Sequence, residues 1–211
     1  MTDLIDQLIT VGRKAVSAGL VIGSGGNLSA REPGSERCVV TASGTWLDEL
    51  DRDSFSTVSV ADGSVLGGHP RPSSEVQLHL ATYRVRPDVN AVVHLHPQTS
   101  VLLTALGHEI RLLTIDHAYY VREVRATPFI QSGTPELADA GAQAAADGCN
   151  CIVLGNHGCS ILGETVELAH KRAANLEEAA KATLTMLQLG DTTTACPPAY
   201  LATVRAGEAS I

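Results

Sequence analysis

Three histidines in this sequence follow apolar runs, where an imidazole can serve as a metal ligand. His94 and His96 end the segment "AVVHLHP" with one residue between them, so in a strand both side chains point to one face. His157 follows the apolar run "CIVL" within "LGNHGC", at the kind of strand end where ligands collect. Three neutral imidazoles favour a divalent ion, Zn²⁺ foremost. Each histidine alone is also typical of an ordinary strand end or turn.

Glu75 begins a predicted helix directly after Ser73 and Ser74, and this position has two interpretations. An acid in the first turn compensates the helix dipole. The same helix start, with its two hydroxyl groups, is also an anion site. The small-residue turns "GSGGNLS" and "TASGT" offer further N–H donors, although neither matches a P-loop or a dinucleotide-binding pattern. Together these segments predict a phosphate site built mainly from neutral donors.

Other reactive side chains have weaker support. Cys149 and Cys151 are alternative metal ligands, but they open an apolar run where buried thiols are common. His117, in "TIDHAYY", is a second-rank candidate ligand. The remaining histidines occupy predicted loops, turns or helix interiors: His69, His79, His108 and His170.

Composition limits the classes of function. The chain has 211 residues, 44% of them hydrophobic and 3% aromatic, which predicts one domain with an aliphatic core. The net charge of −8 argues against binding to nucleic acid or to anionic membranes. No apolar run approaches the roughly 20 residues of a membrane span, and the N-terminal segment is acidic where a signal peptide is basic. We therefore predict a cytoplasmic protein, with five free cysteines.

The elements that position these residues are predicted from periodicity. Helices are expected over 3–19, 73–88, 99–106, 134–147 and 165–190. Strands are expected over 38–43, 90–96 and 151–154, near 111–115, 126–130 and 160–162, and in a hairpin over 57–66. Helices and strands that mix without strict alternation predict an α/β domain with a central sheet flanked by helices. The tail from Asp191 is either mobile or folded over a site.

The order of these motifs resembles the class II aldolase/adducin family, in particular its L-fuculose-1-phosphate aldolase type. The resemblance rests on "GGNLSAR", "TASGTWL", "PSSEVQLHLATYRVRPDVNAVVHLHP" and "LGNHGC", and it extends from the first helix to about Gly190. It implies a catalytic domain over 1–190 with a mainly antiparallel sheet, followed by a tail over 191–211. It further implies a C4 homotetramer with active sites between subunits.

The resemblance also assigns roles to individual residues. His94, His96 and His157 would bind one Zn²⁺ per subunit, with Mn²⁺ or Co²⁺ as alternatives. Glu75 would be the catalytic acid/base or, before substrate binds, a metal ligand, with a pKa raised towards neutrality by burial. The residues that would hold the substrate phosphate are Gly26, Asn27, Ser43, Gly44, Ser73 and Ser74.

The implied reaction is the reversible retro-aldol cleavage of a ketose 1-phosphate, of the L-fuculose or 5-deoxypentulose type. The products would be dihydroxyacetone phosphate and an aldehyde, with Zn²⁺ stabilising the enediolate. The family uses a tyrosine from a neighbouring subunit on the aldehyde side, but "TIDHAYYVREV" does not align there without gaps. Tyr119 and Tyr120 are our candidates, with His117 and Asp116 as alternatives and ordinary packing as the competing explanation.

Relatives in this family differ in the reaction they catalyse. The alternatives are a sugar-phosphate 4-epimerase, a sugar-acid phosphate decarboxylase and a methylthioribulose-1-phosphate dehydratase. A non-catalytic, adducin-like scaffold is a further hypothesis. A scaffold has no need to keep Glu75 together with the three histidines, so we expect an enzyme.

Overall fold

Eight strands form one sheet in the computed structural model, which describes residues 3–207. They are β1 (Asn27–Ala30), β2 (Arg37–Thr41), β3 (Phe55–Ser59), β4 (Val65–Gly68), β5 (Ala91–Leu95), β6 (Arg125–Thr127), β7 (Cys151–Leu154) and β8 (Gly158–Gly163). Their order across the sheet is β4-β3-β2-β1-β5-β8-β7-β6. All neighbours are antiparallel except β6 and β7, so the expectation of a mainly antiparallel sheet is confirmed.

Helices cover both faces of this sheet. They are α1 (Leu4–Ser17), α2 (Val76–Val85), α3 (Gln98–Ala105), α4 (Pro135–Ala145), α5 (Val166–Gln188) and α6 (Pro198–Arg205). In β5, Val93 packs into the core shared with α1, α3 and α5, whereas Val92 packs towards α2 and α4. This alternation follows from the two-residue period of a strand. The result is the predicted α/β domain with helices on both sides.

Side-chain caps explain where the long helices begin. Thr134 accepts a hydrogen bond from the backbone N–H of Leu137, and Pro135 occupies the first turn of α4. Thr165 accepts from the N–H of Leu168 in the same way at the start of α5. The predicted helices are confirmed. Their ends lie one to three residues inside the predicted bounds, except that α3 begins one residue earlier, at Gln98.

The structure corrects three details of the expected elements. Residues 111–115 are not a strand, because the Arg111 N–H donates to Thr183 Oγ1 of α5 rather than to a neighbouring strand. The "GSGGNLSAR" segment is a turn only as far as Gly26, and β1 follows it. The strand expected over 126–130 ends at Thr127, since Pro128 has no N–H for the ladder.

The described part of the tail packs beside residues 111–122. The Arg111 guanidinium donates to the backbone oxygens of Asp191 and Thr194, and Arg205 donates to the backbone oxygen of Arg122. Helix α6 contacts a single π-helical turn over 117–121. Across residues 3–207, no helix combines the length and apolar character needed to cross a membrane.

Candidate active site

Strand register and one tight turn bring the three histidines together. On β5, His94 stands opposite Asn27 of β1 and Ser160 of β8. His96 lies two residues further on, just beyond the strand end, and therefore on the same side. His157 lies in the turn between β7 and β8, directly after Asn156, whose φ of 54° is left-handed and tolerated by asparagine.

Glu75 completes a compact cluster with these histidines. The Nε2 atoms of His94 and His96 are 3.0 Å apart, and the three ring centroids are 4.9 to 5.0 Å from one another. Glu75 Oε2 lies 3.1 Å from His94 Nε2, and Oε1 lies 3.2 Å from His157 Nε2. The four candidate ligand atoms all lie within 4.8 Å of one another, in the one such group found among residues 3–207.

Two glycines make room for this cluster. A Cβ on Gly158 would lie 2.5 Å from His96 Cδ2 and 2.6 Å from the backbone oxygen of Leu95. A Cβ on Gly26 would lie 2.7 Å from the backbone oxygen of His94, and the φ of Gly26 is 78°. Both positions therefore require glycine, for space at Gly158 and for space and conformation at Gly26.

The imidazoles at the cavity wall are held neutral. Burial lowers the pKa of His96 to about 4, and the neighbouring rings of His94 and His157 disfavour its protonated form further. Burial and His94 also lower the pKa of His157. A neutral imidazole presents a lone pair, which is the form that binds a metal ion.

The carboxyl group of Glu75 is held ionised. Burial alone would raise its pKa, but the hydrogen bond to His94, the electrostatic influence of the His94 and His157 rings, and the hydrogen bond from Asn27 outweigh burial and lower the pKa. The expectation of a pKa raised towards neutrality is therefore wrong, because two imidazoles face the carboxyl group. An ionised Glu75 is ready to accept a proton or to face a cation.

The donor set of the cluster fits a divalent cation. Glu75 Oε1 is buried without a hydrogen-bond partner, although it faces the His157 ring. The paired Nε2 atoms of His94 and His96 would repel each other if both presented lone pairs with nothing between them. Three imidazoles and one carboxylate around a common centre suit Zn²⁺ and related divalent ions. The residues present are therefore chemically suited to the metal that the sequence predicts.

A cavity of about 170 Å³ opens beside the cluster. Its lining is dominated by small and hydroxyl-bearing residues from three turns, in keeping with a site for a small anion held by neutral donors. All six residues expected around a phosphate line it: Gly26, Asn27, Ser43, Gly44, Ser73 and Ser74. The N-terminal end of α2 opens onto the same cavity through Glu75.

Sequence reasoning missed one residue of this cavity. Ser132 enters the lining from the loop between β6 and α4. The available signal was the segment "QSGTP", another small-residue turn directly before a helix cap. Ser24 and Thr45 also line the cavity, and both lie within turns that the sequence had singled out.

The remaining candidates lie elsewhere in the chain. Tyr119 and Tyr120 form a half-buried, edge-to-face pair with ring centroids 5.2 Å apart, and neither lines the cavity of its own chain. His117 is buried and accepts from the Leu113 N–H through Nδ1. Cys149 and Cys151 are buried free thiols, and burial raises the pKa of both. Neither cysteine belongs to the ligand cluster.

The chain matches a family model and several named relatives. Residues 6–184 match the model described as the class II aldolase and adducin N-terminal domain. The chain is 35% identical over 178 residues to an L-fuculose phosphate aldolase of Methanocaldococcus jannaschii, covering 84% of this chain and 94% of the relative. It is 31% identical to a 5-deoxy-D-ribulose 1-phosphate aldolase of Bacillus thuringiensis, covering 82% and 80%. It is 32% identical to a 3-oxo-tetronate 4-phosphate decarboxylase of Haemophilus influenzae, covering 88% and 90%.

A solved structure shares the whole fold. The structure described as L-fuculose 1-phosphate aldolase superposes with a TM-score of 0.88 at 26% identity. The match covers 98% of this chain and 96% of that structure.

Proposed function

Since this chain belongs to the class II aldolase and adducin family, we propose that it is a metal-dependent carbon–carbon lyase. Its reaction is the reversible retro-aldol cleavage of a ketose 1-phosphate to dihydroxyacetone phosphate and an aldehyde. The observation that supports this most directly is the convergence of Glu75 with His94, His96 and His157 beside a cavity of neutral donors. The two aldolase relatives supply the substrate class.

The metal site in this proposal uses the three imidazoles, with Glu75 facing the same centre. A divalent ion bound there, Zn²⁺ in our proposal, supplies Lewis-acid stabilisation of the negative charge left on the dihydroxyacetone phosphate fragment. The lowered pKa values of His96 and His157 keep these ligands available at neutral pH. The glycines at positions 26 and 158 let the ligands approach one another.

Glu75 moves the proton at C3 of the dihydroxyacetone phosphate fragment. In the direction of synthesis the ionised carboxylate removes this proton. In cleavage the C4 hydroxyl releases a proton as the aldehyde forms, and the carboxyl group, once it holds a proton in its place, delivers that proton to C3. The lowered pKa of Glu75 makes the carboxylate the resting form. Asn27 donates to Glu75 Oε2 at 3.0 Å and fixes the orientation of the carboxylate.

The substrate phosphate lies in the cavity opposite the histidines. Ser73 and Ser74 present their hydroxyl groups at the start of α2, and Ser43 and Gly44 present a turn. Neutral donors at a helix start bind phosphate without a nearby lysine or arginine. This matters in a chain of net charge −8, whose overall field repels an anionic substrate.

Synthesis from dihydroxyacetone phosphate tests the proposed reaction. Wild-type protein given this ketone with lactaldehyde or acetaldehyde should form a new sugar phosphate, detected by phosphorus NMR. Metal analysis should give about one divalent ion per chain. His96→Ala should lose both the ion and the turnover, whereas the exposed control His108→Ala should keep both. A wild-type protein that binds no divalent ion and is activated by none would support a non-catalytic scaffold instead.

A decarboxylase is the second candidate. The relative from Haemophilus influenzae aligns over 196 residues, more than the 178 residues aligned with the Methanocaldococcus aldolase. Loss of CO₂ from a 3-oxo acid 4-phosphate also leaves its electron pair on a dihydroxyacetone phosphate fragment, and Glu75 would relay a proton from water to that carbon. Wild-type protein should be given 3-oxo-tetronate 4-phosphate in parallel with the aldol substrates. Release of CO₂ without any aldol product would replace our first proposal with this one.

The aldehyde side of the site requires a neighbouring subunit in our proposal. Tyr119 and Tyr120 do not line the cavity of their own chain, so they can act there only across a boundary of the proposed C4 homotetramer. Mixing inactive His96→Ala subunits with inactive Tyr119→Phe or Tyr120→Phe subunits should restore part of the activity. The restored sites would combine an intact metal cluster with an intact tyrosine. No recovery after confirmed subunit exchange would rule the tyrosines out of this role.

A further inference from the structure

A row of buried polar side chains leads from Glu75 into the core. Glu75, His79 and Tyr83 are spaced four residues apart, so they lie along one face of α2. Asn27 and Ser29 are two residues apart on β1 and point to one face of the sheet. The helix face and the strand face meet, and each of these five residues is less than a tenth exposed. None of the roles assigned above uses His79.

The hydrogen bonds along this row are short and continuous. Asn27 Nδ2 lies 3.0 Å from Glu75 Oε2, and Asn27 Oδ1 lies 2.5 Å from His79 Nε2. His79 Nδ1 lies 2.6 Å from Ser29 Oγ, which lies 2.8 Å from the hydroxyl of Tyr83. Every link of the row joins two buried groups, so the row is shielded from exchange with water.

The chemistry of the groups fixes the direction of each hydrogen bond. A carboxylate only accepts, so the NH₂ group of Asn27 faces Glu75 and its oxygen faces His79. That oxygen also only accepts, so His79 carries its proton on Nε2. Burial lowers the pKa of His79 to about 3 and keeps the ring neutral, which leaves Nδ1 to accept from the Ser29 hydroxyl. All the donors therefore point towards Glu75.

The far end of the row is anchored. The Arg31 guanidinium lies 4.6 Å from the centroid of the Tyr83 ring and donates to the backbone oxygens of Val89 and Arg86. The two backbone oxygens fix the guanidinium, and the guanidinium in turn holds the Tyr83 ring by a cation–π contact. The row is thus fixed at Tyr83, and only its Asn27 end meets the site.

We propose that His79 is a positioning residue for the reaction, because its Nε2–H holds the oxygen of Asn27 so that the Asn27 amide donates to Glu75. This role rests on the proposed function, in which Glu75 moves a proton. Without the Nε2–H, the amide of Asn27 is free to rotate, and its oxygen can then face the carboxylate. Glu75 would lose a donor and its fixed orientation. The phosphate donors Ser43, Ser73 and Ser74 would be untouched, and the NH₂ group of Asn27 is already engaged by Glu75. The effect is therefore on kcat more than on KM.

Two substitutions and a matched control test this role. His79→Leu removes the ring donor, and His79→Gln places an amide N–H close to the position of Nε2. The control, Thr82→Val, removes a different buried hydrogen bond of α2, from Thr82 Oγ1 to the backbone oxygen of Leu78. We expect His79→Leu to lower kcat by about 10- to 100-fold with little change in KM or metal content. His79→Gln should recover a large part of this loss, and Thr82→Val should keep the wild-type kcat.

Two kinetic results would overturn the role. The first is a His79→Leu variant whose kcat equals that of Thr82→Val when both are folded. The second is a His79→Gln variant with a kcat as low as that of His79→Leu, because an N–H donor at this position would then not restore the orientation of Asn27. Urea unfolding of each variant separates a loss of kcat from a loss of folded protein.

Nitrogen-15 NMR of the histidine rings tests the geometry without any substrate. Near neutral pH, the His79 ring should show a directly bonded proton on Nε2 and none on Nδ1. A proton on Nδ1 instead would overturn the proposed direction of the row. Because this readout needs no turnover, it separates the two proposals. A wild-type protein without aldol or decarboxylase activity contradicts the proposed function, whereas the Nδ1–H tautomer contradicts only the role of His79.

Discussion

Asn27 and His94 stand directly opposite each other in the antiparallel ladder between β1 and β5. Residues paired in this way project from the same face of the sheet. Both side chains therefore reach Glu75 Oε2, Asn27 at 3.0 Å and His94 at 3.1 Å. One strand register thus sets the position of the carboxylate relative to a candidate phosphate residue and a candidate metal ligand.

The first prediction concerns this paired asparagine. Asn27→Ala should lower kcat by about 10- to 100-fold, because Glu75 Oε2 then keeps only its contact with His94. Steady-state kinetics in the direction of synthesis, together with metal analysis, measures this effect. Asn175→Ala is a suitable control, since Asn175 donates to the Lys171 backbone oxygen on α5. A wild-type kcat in Asn27→Ala would show that the carboxylate needs no donor from β1.

The second prediction concerns the space around the imidazoles. Gly158→Ala should displace His96, because the new Cβ would lie 2.5 Å from Cδ2 of the ring. We expect at least a tenfold loss of metal affinity, measured by titration with Zn²⁺ against a competing chelator. Gly67→Ala is the matched control, since a Cβ there meets no atom within 4 Å. Equal metal affinity in the two variants would mean that His96 is not a ligand.

Periodicity and turn chemistry accounted for most of the fold. The strand before His94, the helix after Ser73 and the long helix α5 all have strong apolar periods, and the structure contains each of them. The expected strand over 111–115 is absent because α5 and the tail satisfy its backbone groups. Such a partner, some 70 residues away in the sequence, is invisible to a local pattern.

The metal-ligand part of the site was predictable, because three histidines at the ends of apolar runs have few shared roles other than binding a ligand. His94, His96 and His157 lie at strand ends, and the structure brings all three together with Glu75. The role of His79 is not readable from its position in a helix, because it depends on which strand that helix face meets in the fold. The expectation of a raised pKa for Glu75 rests on burial alone, whereas the short contacts of its oxygens with His94 and His157, which decide the direction, come from the folded structure.

The third prediction concerns the helix that follows His96. Glu177 of α5 is buried and accepts hydrogen bonds from the N–H groups of Thr99 and Ser100, at the start of α3. Glu177→Gln should lower the free energy of unfolding by about 1 to 3 kcal/mol, because an amide replaces a carboxylate facing these donors. Urea unfolding measures the change. The adjacent Glu178 is exposed and forms a surface ion pair with Lys181, so Glu178→Gln should lower the free energy of unfolding by less than about 0.5 kcal/mol. A similar decrease in the free energy of unfolding in the two variants would contradict the role of Glu177 as a cap for the start of α3.

The fourth prediction concerns the pH dependence of stability. Burial, together with the nearby His94 ring, lowers the pKa of His79 from 6.5 to about 3, although Glu75 opposes the shift. The groups that contact the ring, Asn27 and Ser29, are uncharged. As the pH falls below 6.5, the unfolded chain therefore protonates His79 while the folded chain keeps it neutral. This contribution to stability is complete above pH 6.5 and is lost towards pH 3, by about 1.4 kcal/mol per pH unit.

His79→Gln removes this titration. At about pH 5.5 the variant should therefore take up close to one proton fewer on unfolding than the wild type, and its free energy of unfolding should fall less steeply with decreasing pH. Urea unfolding of both proteins at about pH 7 and about pH 5.5 measures the difference, at pH values above the range in which carboxyl groups titrate. The other buried histidines are present in both proteins, so their contributions cancel. The exposed His108→Gln controls for the loss of any histidine. Parallel pH profiles for the wild type and His79→Gln would mean that His79 is accessible to protons in the folded chain, which its complete burial argues against.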